Sequence, residues 1–209
     1  MLTVSGSWRR WQALFPGATD AETRSSHDAL INAYTAPDRH YHNFAHIADC
    51  LSTLDAARDL ADDARAAELA IWFHDAVYDP TRPDNELRSA ELAAGELVKL
   101  GEPPHSIARV RQLILDTRHL APPATRDGRL LVDIDLAGLA AEPHVFDVNT
   151  ASIRREYAHV PDADYRRGRA EFLRGLADRA RIYHTARFFD LYETRARANL
   201  ARAITLLES

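Results

Sequence analysis

Apolar side chains recur along this chain at intervals of three and four residues, the spacing of an amphipathic helix. One such stripe comprises Phe44, Ile47, Ala48, Leu51 and Leu54. Prolines separate the periodic segments, and proline interrupts the hydrogen-bond ladder of a helix interior. The pattern predicts an all-α fold of about eight or nine helices. Their expected ranges are 20–35, 44–60, 63–78, 85–100, 105–117, 129–140, 144–158, 162–183 and 185–207.

Two helix ends and one ambiguous segment can be identified from residue type. We expect Asn85 to cap the N-terminus of helix 85–100 and Gly101 to end it. The run Leu130–Leu136 contains β-branched residues, so a short strand is an alternative to a helix there.

Composition limits the class of protein. With 209 residues and 46% hydrophobic content, the chain can bury one substantial core, which favours a single domain over residues 1–209. The net charge of −5, with arginines spread along the chain, gives no support to a nucleic-acid polymer as partner. Cys50 is the only cysteine, which excludes an internal disulfide and favours a reducing compartment. Without a signal-peptide or membrane-spanning pattern, we expect a cytoplasmic protein that does not contact membranes.

The adjacent residues His74 and Asp75 lie inside the apolar segment Ala70–Tyr78. A buried carboxylate is costly unless a cation or hydrogen bonds compensate it, and a divalent metal ion would do so. His46 upstream and Asp135 downstream are candidate partners, so we hypothesise a site assembled from three helices. Each of these motifs also has an interpretation without a metal. The segment of His46 could be a polar helix start, the pair His74-Asp75 a capped or salt-bridged helix end, and the segment of Asp135 an acidic surface turn.

The segment that enters the second predicted helix carries further polar residues. His42 and His46 are four residues apart and share a face if that segment is helical. His46 lies further inside the apolar stripe and is the better candidate ligand. His42 and Asn43, nearer the start of the helix, could orient the ligands or contact substrate.

Taken in order, these motifs resemble the HD-domain superfamily of metal-dependent phosphohydrolases, and most closely a subgroup of predicted HD phosphohydrolases. The motifs of that subgroup are Tyr-His-Asn-x-x-His, Phe-His-Asp-x-Val-Tyr, Asn-Glu-x-x-Ser-Ala and Asp-x-Asp-Leu-x-x-Leu. They match Tyr41 to His46, Phe73 to Tyr78, Asn85 to Ala90, and Asp133 to Leu139. The segments 153–157 and 183–199 are also similar, so the resemblance covers nearly the whole chain.

The resemblance implies a helical bundle with a metal-binding core at about residues 40–140 and C-terminal helices at about 144–207. The implied ligands are His46, His74, Asp75 and one of the pair Asp133 and Asp135. Asp135 is preferred from the position of the ligand Asp in the superfamily motif.

The implied cofactor is one divalent ion: Mn²⁺, Mg²⁺, Co²⁺ or Fe²⁺, with Ni²⁺ or Zn²⁺ as further options. Such an ion generates hydroxide from a bound water near neutral pH. The expected reaction is hydroxide attack on a phosphate ester or anhydride of a small molecule, for which a nucleotide is one candidate. Asp75 could accept the proton of the water.

Four other side chains are candidates for this chemistry. Asp79, one helical turn after Asp75, could position or deprotonate water, although the superfamily's Glu-Asp pair has a tyrosine here in place of Glu. Glu86 could hold a solvent molecule, or could simply be an acid in the first turn of a helix. Arg39 could contact a substrate phosphate, or could be a surface arginine in a salt bridge. His119 could donate to a phosphate or bind a second ion, or could be a loop histidine without a role.

Two other functions and the oligomeric state stay open at this point. The first alternative is a metal- or nucleotide-binding regulatory module that keeps the HD scaffold without turnover. The second is an oxygen-activating enzyme with two irons, which would require additional histidine ligands. The long C-terminal helices could pack internally or against a second copy of the chain, as in a homodimer.

Overall fold

The computed structural model describes residues 2–209, and the regular secondary structure in that range is entirely helical, which confirms the all-α class. Within that range, no helix combines the length and apolarity needed to cross a membrane. The α-helices are α1 (Val4–Ala13), α2 (Asp20–Tyr34), α3 (Phe44–Ala57), α4 (Ala64–Phe73), α5 (Asn85–Lys99), α6 (Pro104–Asp116), α7 (Arg126–Asp135), α8 (Pro143–Glu156), α9 (Asp162–Ala177) and α10 (Ala186–Glu208). Two 3-10 helices lie at Arg58–Leu60 and Leu136–Ala140.

The ten α-helices of residues 2–209 exceed the predicted eight or nine because α1 lies outside the predicted segments. This short helix is capped by Thr3, whose Oγ1 accepts a hydrogen bond from the Gly6 N–H at 3.1 Å. Trp11, fully buried, gives it a single large apolar anchor instead of a stripe. The ambiguous run Leu130–Leu136 is helical, so the strand alternative is wrong.

The two predicted ends of α5 have different outcomes. Asn85 is the first residue of the helix, so its expected role as a cap is wrong. Its Oδ1 instead accepts from the Asp79 N–H at 2.9 Å and its Nδ2 donates to the Asp79 carbonyl at 2.8 Å, which closes the preceding loop. The stop at Gly101 is confirmed. Gly101 has φ +77°, and the Glu102 N–H donates to the Leu97 carbonyl at 2.9 Å, as in a Schellman motif.

The chain divides into two compact units, the first ending at Leu131, and the single domain expected over 1–209 stays a prediction. In the first unit, α4 is enclosed by α3, α5 and α6, and every residue from Ala66 to Phe73 is buried. The indole rings of Trp11 and Trp72 meet edge to face with centroids 5.4 Å apart, a favourable aromatic geometry. Because α4 is enclosed in this way, the residues that follow its C-terminal end have a fixed position within this unit.

A buried polar contact joins α1 to α2 in the same unit. Ser7 is inaccessible to solvent, and its Oγ lies 2.8 Å from Nε2 of His27. The Ser7 hydroxyl donates to the Val4 carbonyl at 2.7 Å, so the imidazole must donate to Ser7 from Nε2. Nδ1 of His27 lies 3.3 Å from Oδ1 of Asp28. Burial lowers the pKa of His27 and therefore favours its neutral form.

In the second unit, residues 132–209, α9 packs against α10, as does the 3-10 helix 136–140. Among the described residues, Thr185 at the N-cap of α10 makes no side-chain capping bond. The carboxylate of Asp133 supplies the acceptors instead, because its two oxygens accept from the N–H groups of His184 and Thr185, each at 2.7 Å. Burial raises the pKa of Asp133 to about 6, although these hydrogen bonds favour the anion.

Candidate metal centre

The start of α3 sets the position of His46. Asn43 is the N-cap: its Oδ1 accepts from the Ala45 N–H and its Nδ2 donates to the His40 carbonyl, both at 2.9 Å. With the cap at Asn43, His46 falls in the first turn of α3. The following Ile47 is fully buried, and the His46 side chain is only 7% exposed. The local sequence therefore directs this imidazole into the first unit.

The end of α4 sets the positions of His74 and Asp75. The helix predicted to reach residue 78 ends at Phe73, and each of its last four carbonyls accepts a hydrogen bond at 2.9–3.0 Å. The carbonyls and their donors are Ala70 with the His74 N–H, Ile71 with His74 Nδ1, Trp72 with the Tyr34 hydroxyl, and Phe73 with the Ala76 N–H. Because helix-terminal carbonyls lack partners inside the helix, this pairing lets the helix stop in a buried place.

The same bonds fix the chemistry of His74. A carbonyl can only accept, so Nδ1 of His74 carries the proton, and Nε2 of the neutral ring presents its lone pair. Such a bond from the second ring nitrogen is the usual way in which a metal-binding histidine is oriented. His74 is 3% exposed, so its ring has little freedom to turn away.

Three ligand atoms converge between the start of α3 and the end of α4. Nε2 of His46 and Nε2 of His74 are 3.2 Å apart. Oδ2 of Asp75 lies 3.2 Å from Nε2 of His74 and 3.7 Å from Nε2 of His46. Two imidazole nitrogens at this distance require a proton or a cation between them, because two lone pairs repel each other.

The donor set fits a divalent cation. An ion bonded at about 2.1 Å to each ligand holds neighbouring ligand atoms about 3.0–3.4 Å apart in octahedral or tetrahedral geometry. The distances of 3.2, 3.2 and 3.7 Å among His46, His74 and Asp75 are close to that range. Two imidazoles and one carboxylate also suit the borderline transition-metal ions. The three predicted ligands within the first unit are therefore brought together as a group that could hold a metal ion.

The surroundings keep Asp75 ionised, as a metal ligand must be. Burial by itself raises the pKa of this carboxyl, but the positive charge that His74, His42 and His46 carry when protonated outweighs that effect and holds the pKa well below its usual range. The Asp75 side chain retains 15% exposure. The centre is therefore buried on its protein side and reachable at the carboxylate.

Arg39 and His42, predicted to contact substrate, lie beside the three ligands. The guanidinium of Arg39 donates to the carbonyls of His42, Asp75 and Ala76. The ring of His42 stacks on Tyr78 with centroids 4.2 Å apart. Asn43 uses both ends of its amide in the cap of α3, as described above. Substrate contact by Arg39, His42 and Asn43 stays a prediction.

Glu86 and His119 border the same region. Glu86 lies in the first turn of α5, and its pKa is raised by burial and by the nearby charge of Asp75, against the opposing effects of Arg118 and His119. His119 has φ +55°, the left-handed conformation that is uncommon for residues other than glycine. These side chains thus occupy one neighbourhood with Asp75, which is consistent with the predicted roles without testing them.

The helical turn expected between Asp75 and Asp79 is absent, because α4 ends at Phe73 and both residues follow it. Oδ1 of Asp79 accepts from the N–H and from the hydroxyl of Thr81, at 2.9 and 2.6 Å. The hydroxyl bond, followed by the N–H bond, lowers the pKa of Asp79. These contacts support a loop-closing role for Asp79, and its predicted action on water stays a prediction without the helical spacing on which it was based.

The predicted fourth ligand, Asp135, is the last residue of α7 and belongs to the second unit. Asp133, the other candidate of the pair, has both oxygens engaged with the start of α10. That engagement favours Asp135 over Asp133 as a ligand, as the motif implies. Coordination by Asp135 stays a prediction.

Two neighbours of the ligands have no part in the sequence-based hypothesis. Cys50, one turn after His46, places Sγ 3.7 Å from Nε2 and 3.9 Å from Nδ1 of that ring. The ring of Tyr41 lies 5.2 Å from that of His46. The i, i+4 spacing of His46 and Cys50 is the signal that could have predicted the first contact. The contact of Tyr41 with His46 depends on the conformation of the loop before α3, and that loop has no periodic pattern from which the contact could have been predicted.

Comparison of the chain with protein-family models, with curated proteins and with solved structures finds no match. The resemblance to the HD superfamily therefore depends on the ordered motifs, and the metal centre depends on the geometry of His46, His74 and Asp75.

Proposed function

We propose that this protein is a metal-dependent phosphohydrolase of the HD type, which hydrolyses a phosphate ester or anhydride of a small molecule. The observation that carries the proposal is the convergence of His46, His74 and Asp75, whose ligand atoms lie within 4.8 Å of one another. These three residues come from two separate segments, and all three are among the ligands implied by the ordered motifs.

His46, His74 and Asp75 would hold the ion, with Asp135 as the proposed fourth ligand. A divalent ion at such a site lowers the pKa of a bound water and polarises a phosphoryl oxygen. The bond from Nδ1 of His74 to the Ile71 carbonyl keeps Nε2 available as a ligand atom. Asp75, anionic at neutral pH, contributes the negative charge that a dication requires.

Glu86 and Arg118 are the proposed acid–base and anion-binding groups. Burial and the charge of Asp75 raise the pKa of Glu86, whereas the pKa of Asp75 is lowered. The Glu86 carboxyl is therefore better suited than that of Asp75 to hold a proton for a leaving oxygen. Arg118 is exposed, and within residues 2–209 its guanidinium makes no hydrogen bond or ion pair. It can therefore bind a phosphate without giving up another partner. His119, held in its left-handed turn, is proposed to contact the same phosphate.

The test is release of inorganic phosphate from a panel of nucleotides and sugar phosphates with Mn²⁺, Co²⁺ or Mg²⁺, combined with metal analysis of the purified protein. We expect metal-dependent turnover that falls at least about 100-fold in His74→Ala and Asp75→Ala, together with loss of bound metal. His105→Ala, which removes an exposed imidazole from α6, is the matched control and should retain both properties.

Full activity in either ligand variant would contradict the proposal. Metal binding without phosphate release from any substrate class would instead identify a non-catalytic metal-binding module. Two bound irons with redox-dependent absorbance would identify the oxygen-activating alternative.

A further inference from the structure

We propose that Arg39 is a positioning residue of the metal centre, which holds the segment before α3 and the turn after α4 at one fixed separation. This inference rests on the metal centre of the proposed function. It assigns Arg39 to the support of the ligands, whereas the sequence suggested contact with a substrate phosphate.

The hydrogen bonds of the guanidinium define the role. Nη1 donates to the His42 carbonyl at 2.9 Å and to the Asp75 carbonyl at 2.6 Å, and Nη2 donates to the Ala76 carbonyl at 3.0 Å. His42 precedes the ligand His46 by four residues, and Asp75 is itself a ligand. One side chain thus joins the backbone of both segments that supply ligand atoms.

Two aromatic rings flank the guanidinium: Tyr34, the last residue of α2, and Tyr78, in the segment after α4. Cζ of Arg39 lies 5.4 Å from the ring centroids of Tyr34 and of Tyr78, within the range of a cation–π contact. The Tyr34 hydroxyl donates to the Trp72 carbonyl at 3.0 Å, in the last turn of α4. Tyr78 stacks on His42. Movement of Arg39 would therefore disturb contacts on both sides of the centre.

The geometry requires arginine in particular. A guanidinium has five N–H donors in a fixed plane, and here three of them reach three carbonyls. A lysine ammonium at this position could keep the charge and bond to one or two of these carbonyls, but could not span all three in the same geometry. With three donors committed to backbone oxygens, the side chain has limited capacity left to bind a phosphate.

The contacts have a direct consequence for metal affinity. The ligand atoms of His46 and His74 are 3.2 Å apart only while the two segments keep their separation. Loss of the Arg39 bonds would allow that distance to vary, so ion binding would have to restore it at the expense of affinity. Replacement of groups that orient metal ligands commonly weakens metal binding about 10–100-fold.

The experiment is a titration of the full-length apoprotein with Co²⁺, followed by its visible absorption, for wild type, Arg39→Lys and Arg39→Met. Arg109→Met is the matched control, because Arg109 forms an exposed ion pair with Asp63. We expect Co²⁺ affinity to fall at least about 10-fold in Arg39→Met, with an altered d–d spectrum, and to recover in part in Arg39→Lys. Arg109→Met should match wild type in both respects.

The results of the Co²⁺ titration distinguish failure of the metal centre from failure of the positioning role of Arg39. If wild type binds no Co²⁺, the metal centre itself fails, and with it the proposed function. If wild type binds Co²⁺ and both Arg39 variants bind it with unchanged affinity and spectrum, the positioning role is overturned while the centre stands. An increase in KM for a phosphorylated substrate, with metal affinity unchanged, would likewise overturn it in favour of substrate contact. If Arg39→Met does not fold, Arg39→Lys decides between these results.

Discussion

Two buried imidazoles of the first unit illustrate how hydrogen-bond partners decide what a histidine can do. His74 donates from Nδ1 to the Ile71 carbonyl and presents the lone pair of Nε2 to the cluster of ligand atoms. His27 donates from Nε2 to Ser7, so its Nε2 has no lone pair to offer. Both residues are histidines, so the difference lies in which ring nitrogen donates a hydrogen bond. Only the His74 ring keeps Nε2 available as a metal ligand.

The pH dependence of stability should reflect His27. Because burial lowers its pKa in the folded protein, the unfolded chain binds the proton more readily. The stabilisation is thus fully present above the unfolded-state pKa of about 6.5 and is lost as the pH falls below it. We expect His27 to lower the free energy of unfolding between pH 7 and pH 5, whereas Asp133, whose pKa is raised to about 6, acts in the opposite direction. The contribution of His27 is therefore measured by urea denaturation as a difference between wild type and a His27 variant.

The variant that isolates this effect is His27→Gln, whose amide can still donate to Ser7. From pH 7 to pH 5, the free energy of unfolding of His27→Gln should fall less than that of wild type, or rise more. His105→Gln, at an exposed position on α6, should follow the wild-type curve. Identical pH dependence in wild type and His27→Gln would rule out His27 as the source.

At the scale of elements, the centre is built from the beginning of one helix and the end of another. The amide of Asn43 caps the start of α3, and the last four carbonyls of α4 all have donors. Both termini are therefore fixed by specific hydrogen bonds as well as by apolar packing. A small displacement of either terminus should therefore also displace the candidate ligands beside it.

Substitution of the α3 cap provides a test at this scale. Asn43→Ala removes the bond to the Ala45 N–H, and loss of an N-cap costs about 0.5–2 kcal/mol. Asn43→Ser keeps an acceptor for the same N–H and should recover most of that stability. The measurement is the free energy of unfolding of both variants and wild type from urea denaturation.

The same pair of variants distinguishes the cap from substrate contact. If Asn43 acts only as a cap, Asn43→Ser should retain phosphate release as well as stability. A stable Asn43→Ser protein with a strongly raised KM would show that the amide itself contacts substrate. Equal stability of Asn43→Ala and wild type would contradict the capping role.

Helix positions were predictable wherever the apolar stripe was long and its ends were marked by proline or glycine. The stop of α5 at Gly101 is confirmed for that reason, since a left-handed residue favours glycine. The predicted extension of α4 to residue 78 is wrong: apart from His74 and Asp75 the segment Ala70–Tyr78 is apolar, and no proline or glycine before Pro80 marks the end of the helix. The helix ends instead through side-chain donors, from His74 and from the distant Tyr34, which periodicity does not reveal.

At the scale of the whole molecule, a bound ion should raise the stability of the chain, because only the folded state brings the ligands together. At about 100 times the dissociation constant, one bound ligand contributes about 2.7 kcal/mol, equivalent to roughly 5–10 °C in melting temperature for a chain of this size. We expect Mn²⁺ or Co²⁺ to produce a shift of that order in differential scanning fluorimetry.

Chelation and a ligand variant serve as controls for this shift. EDTA should return the melting temperature to the metal-free value. His74→Ala should show no dependence on either metal, whereas His105→Ala should respond as wild type does. A shift of equal size in His74→Ala would place the ion elsewhere in the molecule.

Sequence reasoning identified the three candidate ligands of the first unit because His46, His74 and Asp75 are polar residues in apolar helical surroundings. It did not identify how they are held. The bonds of Arg39 reach from residue 39 to Asp75 and Ala76, and no local pattern in the sequence specifies a contact over such a separation. The helical turn assumed between Asp75 and Asp79 is wrong because α4 ends at Phe73, while the action of Asp79 on water stays a prediction.

The contact between α1 and α2 bears on how any esterase activity of a purified sample should be interpreted. Ser7, His27 and Asp28 follow the order nucleophile, base and acid, yet the hydroxyl proton of Ser7 points to the Val4 carbonyl and the side chain is sealed from solvent. Fluorophosphonate probes, which label activated serines, have no target at this position. Hydrolysis that such a reagent abolishes would therefore not originate from Ser7.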